Sequence, residues 1–293
     1  MIEALATGAV APGRGVLALA RRWSLAAAVC LLAAVPLVLL FGPAAYRLKL
    51  MSLEAAMWGL SQVALWLCIG ALIAAVIVVI THGVQAPRRG VIIGIAVLTF
   101  GGLALGRLGL MPDARTDLPP VWDSQTDWAH PIVFSSQTIT ERESAGAAPV
   151  RDDVVISSGV WAGKTVDEAQ RQYYAAGKAE YYALKTMKVP SDPAATRAAA
   201  LRAIHDQGWT LKPGSDQPGV NIEATNTSRW YGLVSDIVVR VEPDSRGSRI
   251  DVRSTSRTAT PDMGANANRV KDLLDALKLS LRPEDEKGPG VLE

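Results

Sequence analysis

Cysteine is almost absent from this chain of 293 residues: Cys30 and Cys68 are the two present, both lie inside apolar runs, and neither belongs to a Cys-x-x-Cys pair. The long polar part beyond residue 68 therefore has no disulfide and no thiolate chemistry, and it is compatible with either redox compartment. Histidine is nearly as scarce. His82, His130 and His205 are too scattered for a zinc or di-iron pattern, so the sequence calls for no metal and no other cofactor. Aromatic residues make up 6% and charged residues 20% of the chain against 49% hydrophobic, which is too apolar for disorder over most of its length. Acidic residues are missing from one region in particular. Up to residue 112 only Glu3 and Glu54 occur, against Arg14, Arg21, Arg22, Arg47, Lys49, Arg88, Arg89 and Arg107, a net of +6. Since the whole chain carries +2, the remainder carries −4. Two unlike pieces share the chain, which excludes a single globular domain. Basic charge set beside apolar runs, and not on a polar surface, excludes a nucleic-acid partner.

What the first piece does have is three apolar runs, over residues 23–42, 57–81 and 91–111, each close to the ~20 residues that a helix needs to cross a bilayer core. Three such runs joined by short connectors predict three membrane spans within 1–111 and make membrane lipid a partner. Arg14, Arg21 and Arg22 precede the first run, and Arg88 and Arg89 sit in the turn between the second and third. By the positive-inside rule the N-terminus and that turn are cytoplasmic, and the chain leaves the third span on the far side, the periplasm in a bacterium. Arg21-Arg22 ahead of an apolar run also fits a cleaved signal, but two further runs favour an uncleaved span. Cys30 follows Ala28-Val29 and so lacks the small residue that lipidation needs before its cysteine. Gly102 and Gly106 have the Gly-xxx-Gly spacing for close helix approach, read here as packing inside the three-helix bundle.

At Pro112 the composition turns polar, and 112–282 reads as one α+β domain followed by a flexible tail over 283–293. Prolines punctuate 112–163, an extended wrap with strands expected over 132–139 and 150–156. Thr165-Val166-Asp167-Glu168 has capping-box spacing and predicts a helix from Val166 to about residue 182, with Tyr173, Tyr174, Tyr181 and Tyr182 half-buried on it. Asp192-Pro193 starts a second helix that stops at Gly208. Strands are expected over 209–212, 219–225, 232–242 and 248–256, and a last helix over about 262–279. Closely spaced strands with short turns imply an antiparallel four-stranded meander flanked by helices.

Alternation along the two long strands puts Leu233, Ile237, Val239, Val241, Ile250 and Val252 on one face. The other face collects Asp236, Arg240, Asp251, Arg253 and Arg257, with Glu223 joining from the preceding strand. If the turn centres near Ser245, Arg240 faces Asp251 directly. One reading of this cluster is a ligand site in which Arg253 and Arg257 fork onto a phosphate or carboxylate, with Asp236, Glu223 and Arg240 around them. The other is a salt-bridge ladder that covers the sheet or anchors the wrap. Catalysis is poorly served: no histidine or thiol accompanies the cluster, and a carboxylate beside arginine stays ionised and is a weak base.

The motifs themselves are familiar. Residues 119–127 (PPVWDSQTD), 222–225 (IEAT), 230–232 (WYG), Ser235-Asp236, 239–241 (VRV), and above all 251–257 (DVRSTSR) followed by 262–269 (DMGANANR) resemble the bacterial family known as domain of unknown function 1499, DUF1499. The resemblance covers about residues 112–279. It implies a membrane or envelope protein and supplies no activity. Single-acid Ser235-Asp236, Thr258-Ala259-Thr260 after Arg257, and Tyr181-Tyr182-Ala183 depart from the family's usual pattern. The pattern also suggests a structural corner in which Asp262 caps the last helix, Gly264 allows a close turn, Asn266 bonds the adjacent loop, and Arg257 and Arg269 bracket Asp262. The expectation from sequence is a non-enzymatic, multi-pass bacterial inner-membrane protein whose periplasmic domain binds an envelope or membrane protein. The alternative is a lipid or anionic small molecule on the arginine-bearing face.

Overall fold

Leucine, alanine, valine and isoleucine fill the first hundred residues, and a segment of that kind can satisfy its own backbone in hydrocarbon only as a helix. The computed structural model describes residues 13–83, 88–110, 119, 121–150, 155–157, 159–175 and 184–281, the side chains of 13–18 and 173–175 excepted. The chain divides into two units, Met1–Pro112 and Asp113–Glu293. In the first, α1 runs Gly13–Arg47, a π-helical turn Ala55–Gly59 leads into α2 at Leu60–Gly83, and α3 is Arg89–Gly109. All three are long and apolar enough to cross a membrane.

Small side chains let these helices approach. Ala28 of α1 meets Ala71, Ala74, Ala75 and Val78 of α2 and Val97 of α3, and a second cluster joins Val35, Ala64, Cys68 and Leu108. Leu37, Trp66, Ile80, Phe100 and Leu103 stay more than half exposed, an apolar outer belt. The Arg21 Nε donates to the Thr81 carbonyl at 2.7 Å, so a side chain of α1 satisfies one of the orphan carbonyls at the end of α2. The glycines that carry the close approach differ from those expected. Gly102 and Gly106 face open space, whereas a Cβ at Gly94 would lie 2.9 Å from the Val79 side chain and one at Gly101 would lie 3.0 Å from Leu72. The Gly-xxx-Gly spacing falls on the outer side of α3, and the inner side is set by Gly90, Gly94, Val97 and Gly101.

The second unit is α+β. Its strands are β1 Asp123–Gln125, β2 Met187–Val189, β3 Thr210–Leu211, β4 Ile222–Thr227, β5 Val234–Asp244 and β6 Gly247–Ser256. They form one antiparallel sheet in the order β1-β6-β5-β4-β3, with β2 also on β6. The expected meander is β3 to β6; β1 and β2, too short to show a period of two, share the free edge of β6 and extend it. Arg240 stands opposite Asp251 in the β5–β6 register, which closes through Asp244 opposite Gly247. Gly247 has a φ of 146°, and a Cβ there would fall 2.2 Å from the Val189 carbonyl, so only glycine lets β2 lie so close.

Helices α5 Val166–Ala175, α6 Pro193–Asp206 and α7 Ala265–Ser280 complete the unit together with α4, Ser136–Ser144. The capping box forms: the Thr165 N–H donates to Glu168 and the Glu168 N–H to the Thr165 hydroxyl, both at 3.0 Å. Asp192 accepts the Ala194 and Ala195 amides ahead of Pro193. On one sheet face Ala199, Ala200, Ala203 and Ile204 of α6 and Val270, Leu273 and Leu277 of α7 bury Ile222, Ala224, Ile237, Val239, Ile250 and Val252.

Two expectations are corrected here. Residues 132–139 are no strand: Ser135 caps α4 by accepting the Thr138 amide, and this local bond wins over the weak alternation of Ile132, Phe134 and Ile139. Over 150–156 the described residues hold only an isolated bridge between Val155 and Thr165. Tyr181, Tyr182, the 85–87 turn and the 283–293 tail lie outside the described residues, as do the Tyr173 and Tyr174 side chains. The inner and outer glycines of α3 separate in a simple test. Gly94→Val should lower the thermal unfolding midpoint of the detergent-solubilised full-length protein by several degrees, through overpacking of about 1–3 kcal/mol, while Gly102→Val should leave it within about a degree.

Candidate functional site

The sheet face turned away from α6 and α7 is built from alternate residues: Glu223 and Thr225 on β4, Asp236, Val238 and Arg240 on β5, Asp251, Arg253 and Thr255 on β6, and Asp123 and Gln125 on β1. Residues 126–148 lie over it. Ile132 and Phe134 pack on Val238, and α4 sets Thr138 and Arg142, one turn apart, against the charged residues.

Three ionic centres result. Asp236 is fully buried; its carboxylate accepts Arg142 Nη1 at 2.6 Å and both Nε and Nη2 of Arg257 at 2.9 and 2.8 Å, with the Lys212 ammonium at 3.5 Å. Arg142, itself 3% exposed, also donates to the carbonyls of Ala148 and Ser256, so a single guanidinium ties α4 and the following loop to the end of β6. Asp123 and Arg253, each 1% exposed, form a fork: Nε and Nη2 donate to the carboxylate at 3.1 and 2.6 Å, Nη1 donates to the Ile132 carbonyl, and the Thr255 hydroxyl donates to the same acid. The Phe134 ring lies 6.0 Å from the Arg253 guanidinium. Asp251 accepts Arg240 at 3.0 Å, Arg249 at 2.7 Å and the hydroxyls of Thr126 and Thr186, and Asp127 accepts the same two arginines. Glu223 stands apart from these. It accepts the Ser135 amide and the hydroxyls of Ser135 and Thr138, the first turn of α4, where a negative charge is favoured.

Burial pushes the Asp236 carboxyl up, but the hydrogen bonds from Arg257 and Arg142 outweigh it and hold the group below the ordinary carboxylate range. Asp251 follows the same balance, with Thr186, Arg240 and Arg249 as the holding donors. The Asp236 bonds raise Arg257 further. Acids held this firmly ionised are poor proton acceptors. Among the described residues no group of three or more His, Cys, Asp or Glu is placed to hold a metal ion.

The structure thus brings Arg240, Asp236, Arg253, Arg257 and Glu223 to one face and gives each a partner within the chain. Asp123, Asp127, Arg142, Lys212 and Arg249 complete the network and were not singled out from sequence. Asp123 and Asp127 sit in the recognised Pro-Pro-Val-Trp motif, and Arg142 is one helical turn beyond Thr138; a helix in place of a strand there would have put both on one side.

The corner lies on the opposite side of the sheet. Asp262 accepts the amides of Gly264 and Asn266 at 2.9 Å, ahead of an α7 that starts at Ala265, and Gly264 has a φ of 80°. The Asn266 amide donates to the Trp122 carbonyl and the Ser256 hydroxyl and accepts from Ser254. Arg269 donates to Ser235 and Asn266, and Arg257 to Asp236; Asp262 is held by backbone amides. Desolvation raises the Asp262 carboxyl above its ordinary range in spite of these amides and the Arg269 charge, and it lowers Arg269.

Beside Glu223 the covered face opens into a cavity of about 430 Å³ lined by Val133, Phe134, Ser135, Gln137, Lys212 and Asn221 among others. Val133 and Val220 on its rim are 71% and 47% exposed.

A family model described as "Protein of unknown function (DUF1499)" matches residues 123–277, from the buried Asp123 to the last buried leucine of α7. No curated protein and no solved structure matches the chain. The Asp123–Arg253 fork makes a testable claim on stability. Arg253→Met should destabilise the sheet domain of the full-length protein by about 3–5 kcal/mol because it strands a buried carboxylate, and Asp123→Leu combined with Arg253→Met should recover at least half of that loss. Urea unfolding followed by tryptophan fluorescence measures both.

Proposed function

The chain belongs to the DUF1499 family, whose description assigns no activity, and we propose from its geometry that it is a non-enzymatic binding protein of the bacterial inner membrane. Three spans anchor it with the N-terminus in the cytoplasm, and the α+β domain, in the periplasm, engages another membrane or envelope protein. The observation that carries this reading is that the charged face is filled from within. Each acid on it holds an arginine, lysine, hydroxyl or amide of the same chain, which suits a brace and leaves no reactive group to spare. The exposed surface beside that brace is the cavity mouth at Val133 and Val220, where apolar side chains flank the neutral donors Ser136, Gln137 and Asn221, a mixture suited to a protein partner. Arg253 and Arg257 already hold Asp123 and Asp236, so the alternative of an anionic ligand on that face has no empty fork to use.

The orientation is supported by the basic residues at one end of the bundle. Arg21 bonds the end of α2 at Thr81, and Gly90 at the start of α3 lies against His82, so Arg21, Arg22, Arg88 and Arg89 gather together. A photo-crosslinking residue in place of Val133 should give one discrete heavier species in intact membranes, and the same residue in place of the exposed His205 should not. Identical adduct patterns from the two positions would defeat the reading. A phosphatase reporter fused after Glu293 should be active only when exported; activity from a cytoplasm-specific reporter at the same point would reverse the topology.

A further inference from the structure

A second concave surface lies at the β2 edge of the sheet, between the segment that enters β2 and the outer side of α7. It has a volume of about 530 Å³ and is lined by Leu184, Lys185, Thr186, Met187, Lys271, Leu274, Asp275 and Lys278. Its floor is apolar, because Leu184, Met187 and Leu274 pack down on the main core and remain only half covered. Its rim is cationic. Lys271, Leu274 and Lys278 are spaced by three and four residues, so helical geometry puts them on one side of α7, and Lys185 faces them from the β2 side. Asp275 is the one acid among the lining residues, and it is taken up by Lys271 at 2.6 Å. Lys185 and Lys278 are exposed and make no hydrogen bond or ion pair among the described residues, so the groove keeps an excess of two positive charges over an apolar floor.

We propose that this groove binds an anionic phospholipid, with the headgroup phosphate between Lys185 and Lys278 and the start of an acyl chain over Leu184, Met187 and Leu274. Either half of the site alone would be ordinary surface. Together they match a molecule that has negative charge joined to hydrocarbon, and a chain with three helices long enough to cross a membrane lives among such molecules. An acidic peptide would satisfy the lysines and leave the floor uncovered; a free phosphate would do the same. The site shares no residue with the Val133 cavity, so it stands or falls independently of the protein partner proposed above.

The test uses the full-length protein in phosphatidylcholine nanodiscs containing a few per cent of a lipid with a photoreactive acyl chain, either phosphatidylglycerol or phosphatidylcholine, followed by peptide mapping. The phosphatidylglycerol probe should label peptides covering 184–188 and 271–278, and the phosphatidylcholine probe should not. Lys185→Gln with Lys278→Gln should reduce that labelling roughly twenty-fivefold, at about fivefold per lysine, with labelling of Ala55–Gly83 unchanged as the internal control for a folded, inserted protein. Equal labelling by both probes, or labelled spans with an unlabelled groove, would overturn the proposal. So would full displacement of the groove label by millimolar inorganic phosphate or by an acidic peptide, which would assign the lysines to a free anion or to a protein.

Discussion

A guanidinium and a carboxylate taken out of water together cost several kcal/mol per ion, and the cost is recovered only when every remaining donor and lone pair is also met. The Asp123–Arg253 pair is 1% exposed on both sides, and it meets that condition through Ile132 and Thr255. The rest of the domain follows from it. Arg253 can be buried only if β1 lies beside β6 to supply Asp123, and only if the chain then doubles back so that Ile132 presents its carbonyl. That return places Ser135 over Glu223, and Glu223 in turn fixes the first turn of α4. Once α4 is fixed, Arg142 reaches Asp236. A chain of obligatory polar contacts therefore sets the path of residues 123–148, a stretch with little apolar periodicity of its own.

The two faces of the sheet divide the labour. Against α6 and α7 the contact is aliphatic, non-directional, and supplies the bulk of the stabilisation. On the reverse side the charges specify register. Slipping β6 by one residue against β5 would carry Asp251 and Arg253 into the aliphatic side, next to Val270 and Leu273, with no partner for either charge. The corner at Asp262 handles one place where the aliphatic side turns polar: Ser235, Ser254 and Ser256 project toward α7, and Asn266 and Arg269 bond their hydroxyls. Alanine at Asn266 would remove one hydrogen bond each from the Trp122 carbonyl and the Ser254 and Ser256 hydroxyls, leaving them the Ser256 amide, Arg269 and Ser235 as partners.

The parts of this arrangement that were legible in the sequence are those with a period. Alternation along β5 and β6 sorted the charged from the aliphatic residues, and the position of the turn near Ser245 gave the Arg240–Asp251 pairing. Capping residues marked α5 and α6 for the same reason: a side chain two or three positions from an amide has few other ways to satisfy it. The segments that answer the charges carry no such mark. A three-residue strand at Asp123–Gln125 has too few residues to show alternation, and the nine-residue helix at Ser136–Ser144 is preceded by a run, Ile132-Val133-Phe134, that looks like strand immediately before the Ser135 cap. Helix spacing of Thr138 and Arg142 was visible only after the helix was known. In the membrane unit the same limit applied to glycine: spacing identifies a smooth stripe on α3, but only packing against α2 tells that Gly94 and Gly101 are the buried stripe and Gly102 and Gly106 the open one.

The net charge of +2 is the sum of two distributions with different work to do. Five of the eight basic residues of the first unit lie near the start of α1 or of α3 and three, Arg47, Lys49 and Arg107, near the ends of those helices; Arg21 closes an orphan carbonyl at the end of α2. In the second unit the acids of the sheet are met locally by cations: Arg142, Arg257 and Lys212 surround Asp236, and Arg240 and Arg249 share Asp251 and Asp127. A domain with an acidic total thus has buried arginines matched to buried acids, separate from the exposed lysines of its surface. That separation explains how one chain can keep its buried charges neutralised internally and still present a local cationic rim at Lys185 and Lys278. The rim owes nothing to the overall balance; it exists because α7 and the approach to β2 place lysines there with a single acid between them.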